Sequence, residues 1–194
     1  DAMMQHPAHR SLRRRTLLSL GGAILAAPAL AQTWPARPVR LVVPFPPGGP
    51  ADAIGRILSE PLAESWGHPV VIDNRGGAGG NIGADIVAKA PPDGQTLLLA
   101  ASSHVQGAAL YSHLAFDPIR DFTAITQVAY YSLVLVVHPS VPATNLRELE
   151  TYMRANPGRL TMTSAGVGTP THLAAELFRT SAGLEFTHVP FQGA

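Results

Sequence analysis

Two short stretches carry the residues whose types and spacing point to chemistry. One is Phe45–Asp52, FPPGGPAD; the other is Ser164–His172, SAGVGTPTH. Each follows a short apolar run that reads as a buried strand, Val39–Val43 and Leu160–Thr163, and each opens through Pro into a helical pattern. In the first, Gly49 falls at the N-cap, Pro50 at the first helical position and Asp52 two further on. In the second, Thr169 caps, Pro170 starts the helix and His172 follows two later. Pro suits that place because its missing N–H has no intrahelical partner there. Free backbone N–H groups and the positive end of the helix dipole make such a start an anion site. A donor-only backbone site with no cation suits a carboxylate better than a triphosphate. Two such loops far apart in sequence imply two lobes closing on one anionic ligand.

Phe45, Pro47, Gly48, Gly49 and Asp52 are therefore the candidate ligand-binding residues of the first loop, and Ser164, Gly166, Gly168, Thr169 and His172 those of the second. Ser102 and Ser103, at the end of a third apolar run, are expected to hydrogen-bond a ligand from a strand end. Asp52 is expected to act as a helix-start residue rather than as a base.

Other chemistries fit less well. The turn Asn74–Gly83 follows a strand and precedes a helix, which invites a dinucleotide-binding reading. The register fails, because a G-x-G placed at Gly77 and Gly79 puts Ile82 where the last Gly belongs. A tight turn that lets helix and strand approach closely is the simpler reading. A Walker loop needs Gly-Lys-Ser/Thr, and Gly48-Gly49 is followed by Pro50-Ala51. Ser164 does not sit in G-x-S-x-G, and the adjacency of Ser102, Ser103 and His104 says little about a triad, which is a spatial arrangement. His172 and Glu176 stand four apart on one helix face, too few ligands for a metal. Histidines 68, 104, 113, 138 and 188 show no clustered spacing. No catalytic residue, cofactor or metal is expected.

The elements that must position these loops alternate between strand and helix. After Val39–Val43 comes a helical pattern with Ile54, Ile57, Leu58 and Leu62 on one face, in which Pro61 should kink or shorten the helix. Val70–Ile72 is the next strand, the Gly-rich turn leads into a helix through Ala90, and Thr96–Ala100 is a third strand. His104–Leu110 fits a short helix. Two apolar runs, Phe122–Val128 and Leu133–His138, follow closely, and the lobe boundary is placed between them near Ala129–Ser132. Leu146–Asn156 is helical with Leu146, Leu149 and Met153 inward. Leu160–Thr163, a helix from Thr169 to about Ala182, and Phe186–Val189 complete the pattern. Such alternation predicts an α/β fold with parallel sheets and sites at the carboxyl ends of strands.

Composition narrows the class further. Residues 1–31 read as an export signal: Arg10, Arg13, Arg14 and Arg15, then the apolar Leu17–Leu30, then Ala29-Leu30-Ala31 as a cleavage site before Gln32. The apolar stretch is shorter than the ~20 residues a spanning helix needs. Arg14-Arg15-Thr16-Leu17-Leu18 fits either a twin-arginine or an ordinary signal. Without that signal the remaining 10 basic and 12 acidic residues leave a net charge of −2, which removes the electrostatic basis for a nucleic-acid partner. The chain has no cysteine, so disulfides, thiolate catalysis and Cys-bound zinc are excluded. It stops at Gly193-Ala194 straight after an apolar run, and is expected to belong to a longer reading frame.

Taken together and in order, these motifs resemble the periplasmic receptors of tripartite tricarboxylate transporters, the Bug receptor family. The resemblance runs over residues 34–194. It rests on Trp34-Pro35 with Pro38-Val39, Phe45–Gly49 with Asp52, Asn74-Arg75 with Gly77–Gly80, Pro92–Leu97, Asn156-Pro157-Gly158, Ser164–Thr169 with His172, and Pro190–Gly193. It implies a two-lobed periplasmic-binding-protein-like clamshell, with lobe 1 at residues 32–130 and a partial lobe 2 at 131–194. It also implies a small carboxylate held by both loops, partly through bridging waters, and a membrane permease as partner. Pro190-Phe191-Gln192-Gly193 departs from the family's commoner Pro-Tyr-Lys-Gly, which removes a basic group from that turn. The alternative from another class is a secreted Rossmann-like or hydrolytic α/β enzyme.

Overall fold

In a computed structural model, which describes residues 33–191 and 193, the run Val39–Val43 forms β1 and is the best-buried strand among the described residues. Val39, Val42 and Val43 are wholly buried and Leu41 nearly so. Apart from Arg40 the run is apolar, so it is stable only with neighbours on both edges and cover on both faces. Its neighbours are β2, Val70–Asn74, and β3, Thr96–Leu98, both parallel to it, in the order β2-β1-β3. Val39 pairs with Val70 and Arg40 with Thr96, and the Arg40 guanidinium bonds the Asp73 carboxylate across the first of these pairs of strands. The proposed export signal and its cleavage site lie outside the described residues.

Helix α1, Pro50–Trp66, lies against this sheet. Gly55 permits the approach, since a Cβ there would meet Val43 Cγ2 at 3.2 Å. The helix stops at Gly67, whose left-handed backbone returns its N–H to the carbonyl of Ala63. Two expectations need correction here. Pro61 does not shorten the helix, which runs on to Trp66; it costs one N–H donor on an exposed face. Ile57 does not face inward but is 72% exposed, while Gly55 takes the place against the sheet.

The Gly-rich turn holds a single 3₁₀ turn, Ala78–Gly80, and then enters α2, Asn81–Ala88. A Cβ at Gly83 would stand 2.8 Å from Pro44 Cβ, so the turn does bring helix and strand end unusually close. Helix α3, Ser103–Leu110, follows β3, which ends two residues earlier than expected. His104 packs edge-on to Phe122 at 4.6 Å and meets the Pro118 carbonyl through Nε2 at 2.9 Å. It also stacks on Phe116, so its ring belongs to a local aromatic cluster.

Residues 123–137 are exposed and form no strand, despite their apolar composition. Next comes α4, Leu146–Ala155, capped by Asn145, whose Oδ1 accepts the Glu148 N–H at 3.0 Å. Leu149 and Met153 are buried with Leu184, but Leu146 is 53% exposed and lies outside that core. Strands β4, Thr161–Ser164, and β5, Thr187–Pro190, form a second parallel sheet, joined by α5, Pro170–Ala182. A groove of about 800 Å³ separates the segment Leu133–Val137 from β4, α4 and α5.

Candidate functional site

Parallel strands send all their carboxyl ends to one edge of a sheet. In this chain the two sheets bring those edges together. Phe45 and Pro46 after β1, Gly77–Gly80 after β2, Ala165–Val167 after β4, and Pro190, Phe191 and Gly193 at the end of β5 line one cleft of about 280 Å³, with Tyr111 at its side. The two halves touch directly. Tyr111 donates from its hydroxyl to the Val167 carbonyl at 3.4 Å. Gly79, with φ +66°, would place any Cβ 2.9 Å from that same oxygen. Only glycine fits a left-handed backbone this close to another main chain.

Of the residues singled out in sequence, Phe45 and Gly166 line this cleft. The rest of the first loop stands beside or behind them. Pro47 and Gly48 are exposed, Gly49 is the buried N-cap of α1, and Asp52 is buried in its first turn. Asp52 works as a hub. Its carboxylate accepts the Gly48 N–H at 2.9 Å, Arg56 Nε at 2.8 Å and Asn74 Nδ2 at 3.0 Å. Asn74 Nδ2 also reaches the Phe45 carbonyl at 3.1 Å, tying the end of β2 to the loop. The Arg56 guanidinium, followed by the Gly48 N–H, holds the Asp52 carboxyl down to about 2, against the opposing pull of burial. A group so acidified is a fixed anion, not a proton acceptor at neutral pH.

The second loop is built alike. Thr169 is the buried N-cap of α5, but its hydroxyl does not cap the helix; it donates to the Gly166 carbonyl at 2.6 Å. His172 Nδ1 accepts the Gly168 N–H at 3.2 Å. Ser164, also buried, bonds both the N–H and the carbonyl of Gly166. Ser102 is exposed at the N-cap of α3 and Ser103 is buried in its first turn; neither reaches the cleft lining.

One grouping lies beyond what sequence spacing discloses. His188 is clustered: its ring stacks on His172 at 4.4 Å and its Nε2 lies 2.7 Å from Ser164 Oγ. Sequence spacing could not show this, because the contact is made by the register of β4 against β5, where Met162 pairs with His188. Tyr111, Phe191 and the Gly77–Gly80 turn were likewise missed as lining residues. A signal existed for the turn, which follows a strand as the other two loops do. Among the described residues no group of three or more His, Cys, Asp or Glu is placed to hold a metal.

Comparison with known proteins agrees with this geometry. Residues 54–194 match the family described as tripartite tricarboxylate transporter family receptor. The chain is 42% identical over 185 residues to the UPF0065 protein in the tcbD-tcbE intergenic region of Pseudomonas sp. strain P51, covering 94% of this chain and 55% of that protein. It is 39% identical to protein BugT of Bordetella pertussis, over 88% of this chain and 53% of that one. Among solved structures, MatC from Rhodopseudomonas palustris with bound malate superposes with a TM-score of 0.74 at 33% identity, covering 82% of this chain and 55% of that one. An R. palustris protein with adipate gives 0.72 at 37% identity, covering 82% and 54%. The chain belongs to the tripartite tricarboxylate transporter receptor family, the Bug receptors, and its fold is the α/β clamshell of periplasmic binding proteins. It spans about half the length of the relatives it matches.

Proposed function

We propose that this chain forms the first lobe, residues 32–130, and part of the second, 131–194, of a periplasmic receptor that captures a small carboxylate and passes it to a membrane permease. The observation that carries the reading is the convergence of strand ends from two parallel sheets on one cleft, with a proline-started helix behind each principal loop. Main-chain N–H groups at such places favour an anion without needing a cationic side chain. Phe45, Pro47, Gly48, Gly49, Asp52, Ser102, Ser103, Ser164, Gly166, Gly168, Thr169 and His172 remain the proposed ligand-binding set. Within it, Phe45 and Gly166 touch ligand, while Asp52 and His172 shape the loops. The malate and adipate in two structural neighbours support a carboxylate. Export through residues 1–31, with cleavage after Ala31, places the receptor in the periplasm.

The test is a thermal-shift and calorimetry panel of mono-, di- and tricarboxylates and amino acids on the protein from its complete reading frame. Saturable stabilisation by one carboxylate class, with the ligand recovered unchanged, is expected. Failure of every carboxylate to bind would overturn it.

One observation favours hydrolysis instead, the 2.7 Å contact between Ser164 Oγ and His188 Nε2. Ser164 is buried outside the cleft lining, its hydroxyl is engaged by the Gly166 backbone, and no described carboxylate hydrogen-bonds His188. A nucleophile needs an accessible hydroxyl and an oriented base. Ester turnover abolished by Ser164→Ala would restore that reading.

A further inference from the structure

Two imidazoles hold the Gly166–Gly168 segment from behind. The Gly168 N–H donates to His172 Nδ1 at 3.2 Å. Ser164 Oγ accepts the Gly166 N–H at 3.2 Å and donates to the Gly166 carbonyl at 3.3 Å. With its proton so placed, Ser164 Oγ meets His188 Nε2 at 2.7 Å as an acceptor, and His188 donates. His172 comes from α5 and His188 from β5, and their rings stack at 4.4 Å with an interplanar angle of 24°. From α5, Glu176 is the carboxylate that acts on both rings, and it is ion-paired with Arg179 at 2.6 Å. From β4 the group that meets the stack is the neutral hydroxyl of Ser164.

We propose that His188 is a positioning residue for the ligand loop, and that the His172–His188 stack is a proton-sensitive latch on Gly166–Gly168. The inference takes its functional meaning from the carboxylate-cleft reading above, because it names how that loop is set. The neutral His172 ring accepts at Nδ1. A proton there turns the acceptor into a donor, and the Gly168 N–H loses its partner. His188 keeps its donation to Ser164 in either charge state, so its part is to hold the other ring in register by stacking. A proton on His188 places a cation against that ring, and two protons would set like charges face to face. Burial, and next the neighbouring His172, push the His188 imidazole below its ordinary value, which keeps the support ring neutral near pH 7. Glu176 pulls the other way, with its oxygen already engaged by Arg179.

The test is an amide and imidazole NMR titration of the ligand-free protein, from about pH 8 to about pH 5, the range in which histidine titrates. The Gly166 and Gly168 amide resonances are expected to move with the midpoint of the His172 ring signals. Exchange of the Gly168 amide should speed about tenfold or more relative to Ala175 within α5, the size of a local opening of ~1.4 kcal/mol. In His172→Asn the amide oxygen stands in for Nδ1 and cannot titrate, so the Gly168 resonance should stay still. In His188→Gln a donor to Ser164 is kept but the stacked ring is lost, so the Gly168 midpoint should shift. A Gly168 amide that does not respond in the unmodified protein would overturn the latch, and no variant has to fold for that result. A His188→Gln profile identical to that of the unmodified protein would remove His188 from the positioning role. Because no ligand is added, these outcomes stand apart from the fate of the carboxylate reading.

Discussion

The two loops share one device and fill it with different chemistry. In both, the third helical residue reaches back to accept the N–H of the residue before the N-cap: Asp52 from Gly48 at 2.9 Å, His172 from Gly168 at 3.2 Å. This is a relative of the capping box, in which a side chain inside the first turn satisfies a donor outside it. In the first loop the acceptor is a permanent carboxylate pinned by Arg56 and Asn74. In the second it is an imidazole stacked on another imidazole. The first loop is held by a carboxylate that stays ionised at neutral pH, whereas the second is held by an imidazole, the group on which the proposed latch turns. Equal backbone geometry is thus held by unequal chemistry.

The strongest way to break the comparison is to push the halves apart. Gly79→Val forces a Cβ into the Val167 carbonyl from a left-handed backbone, and is expected to weaken carboxylate binding by about 30-fold or more, since a misplacement near 1 Å costs on that order. Calorimetry should record the loss while circular dichroism keeps the α/β signal.

Next in size is Asp52→Ala, which leaves the Gly48 N–H without its acceptor and Asn74 Nδ2 with the Phe45 carbonyl alone. A drop in thermal midpoint of roughly 5 °C or more is expected. Asp52→Asn, which keeps one oxygen, should fall between the alanine variant and the parent. A midpoint unchanged in both would show that the first loop is held by packing alone.

The pH dependence separates the loops directly. Asp52 titrates at about 2 in the folded chain against 3.8 unfolded, so its share of stability is full above pH 3.8 and is lost as pH falls toward about 2. His188 also lies below its ordinary 6.5, so stability linked to it is full above pH 6.5 and starts to fall just below that value. Urea unfolding across this range should show two separate declines, the upper one absent in His188→Gln. The smallest effect is expected from Thr169→Val, which deletes the hydroxyl bond to Gly166 and should cost about 1 kcal/mol, with carboxylate affinity reduced by less than about threefold.

Much of this was legible in the chain because local rules wrote it. The β-branched run at Val39–Val43, the Gly49-Pro50 and Thr169-Pro170 helix starts and the Gly67 stop each encode their element within a few residues. Inward faces were read less well. Ile57 and Leu146 sit on the helical period yet point to solvent, because which part of an apolar stripe is covered depends on the neighbour and not on the helix. What could not be read were contacts set by register between distant strands. His188 stands 24 residues from Ser164, and nothing local marks their pairing. The acidic hub was half visible: Asp52 was recognised as a helix-start residue, but its bond to Asn74 crosses from one strand end to another.

Ala165, Gly166 and Val167 line the cleft with small or main-chain-rich residues. A peptide N–H is the same group whatever residue bears it. Recognition written in that alphabet is largely invisible to substitution, so long as the backbone path survives. On the carboxylate proposal made above, variation at Tyr111, Phe45 or Phe191 would then change the side-chain wall of the cleft while leaving the backbone path alone.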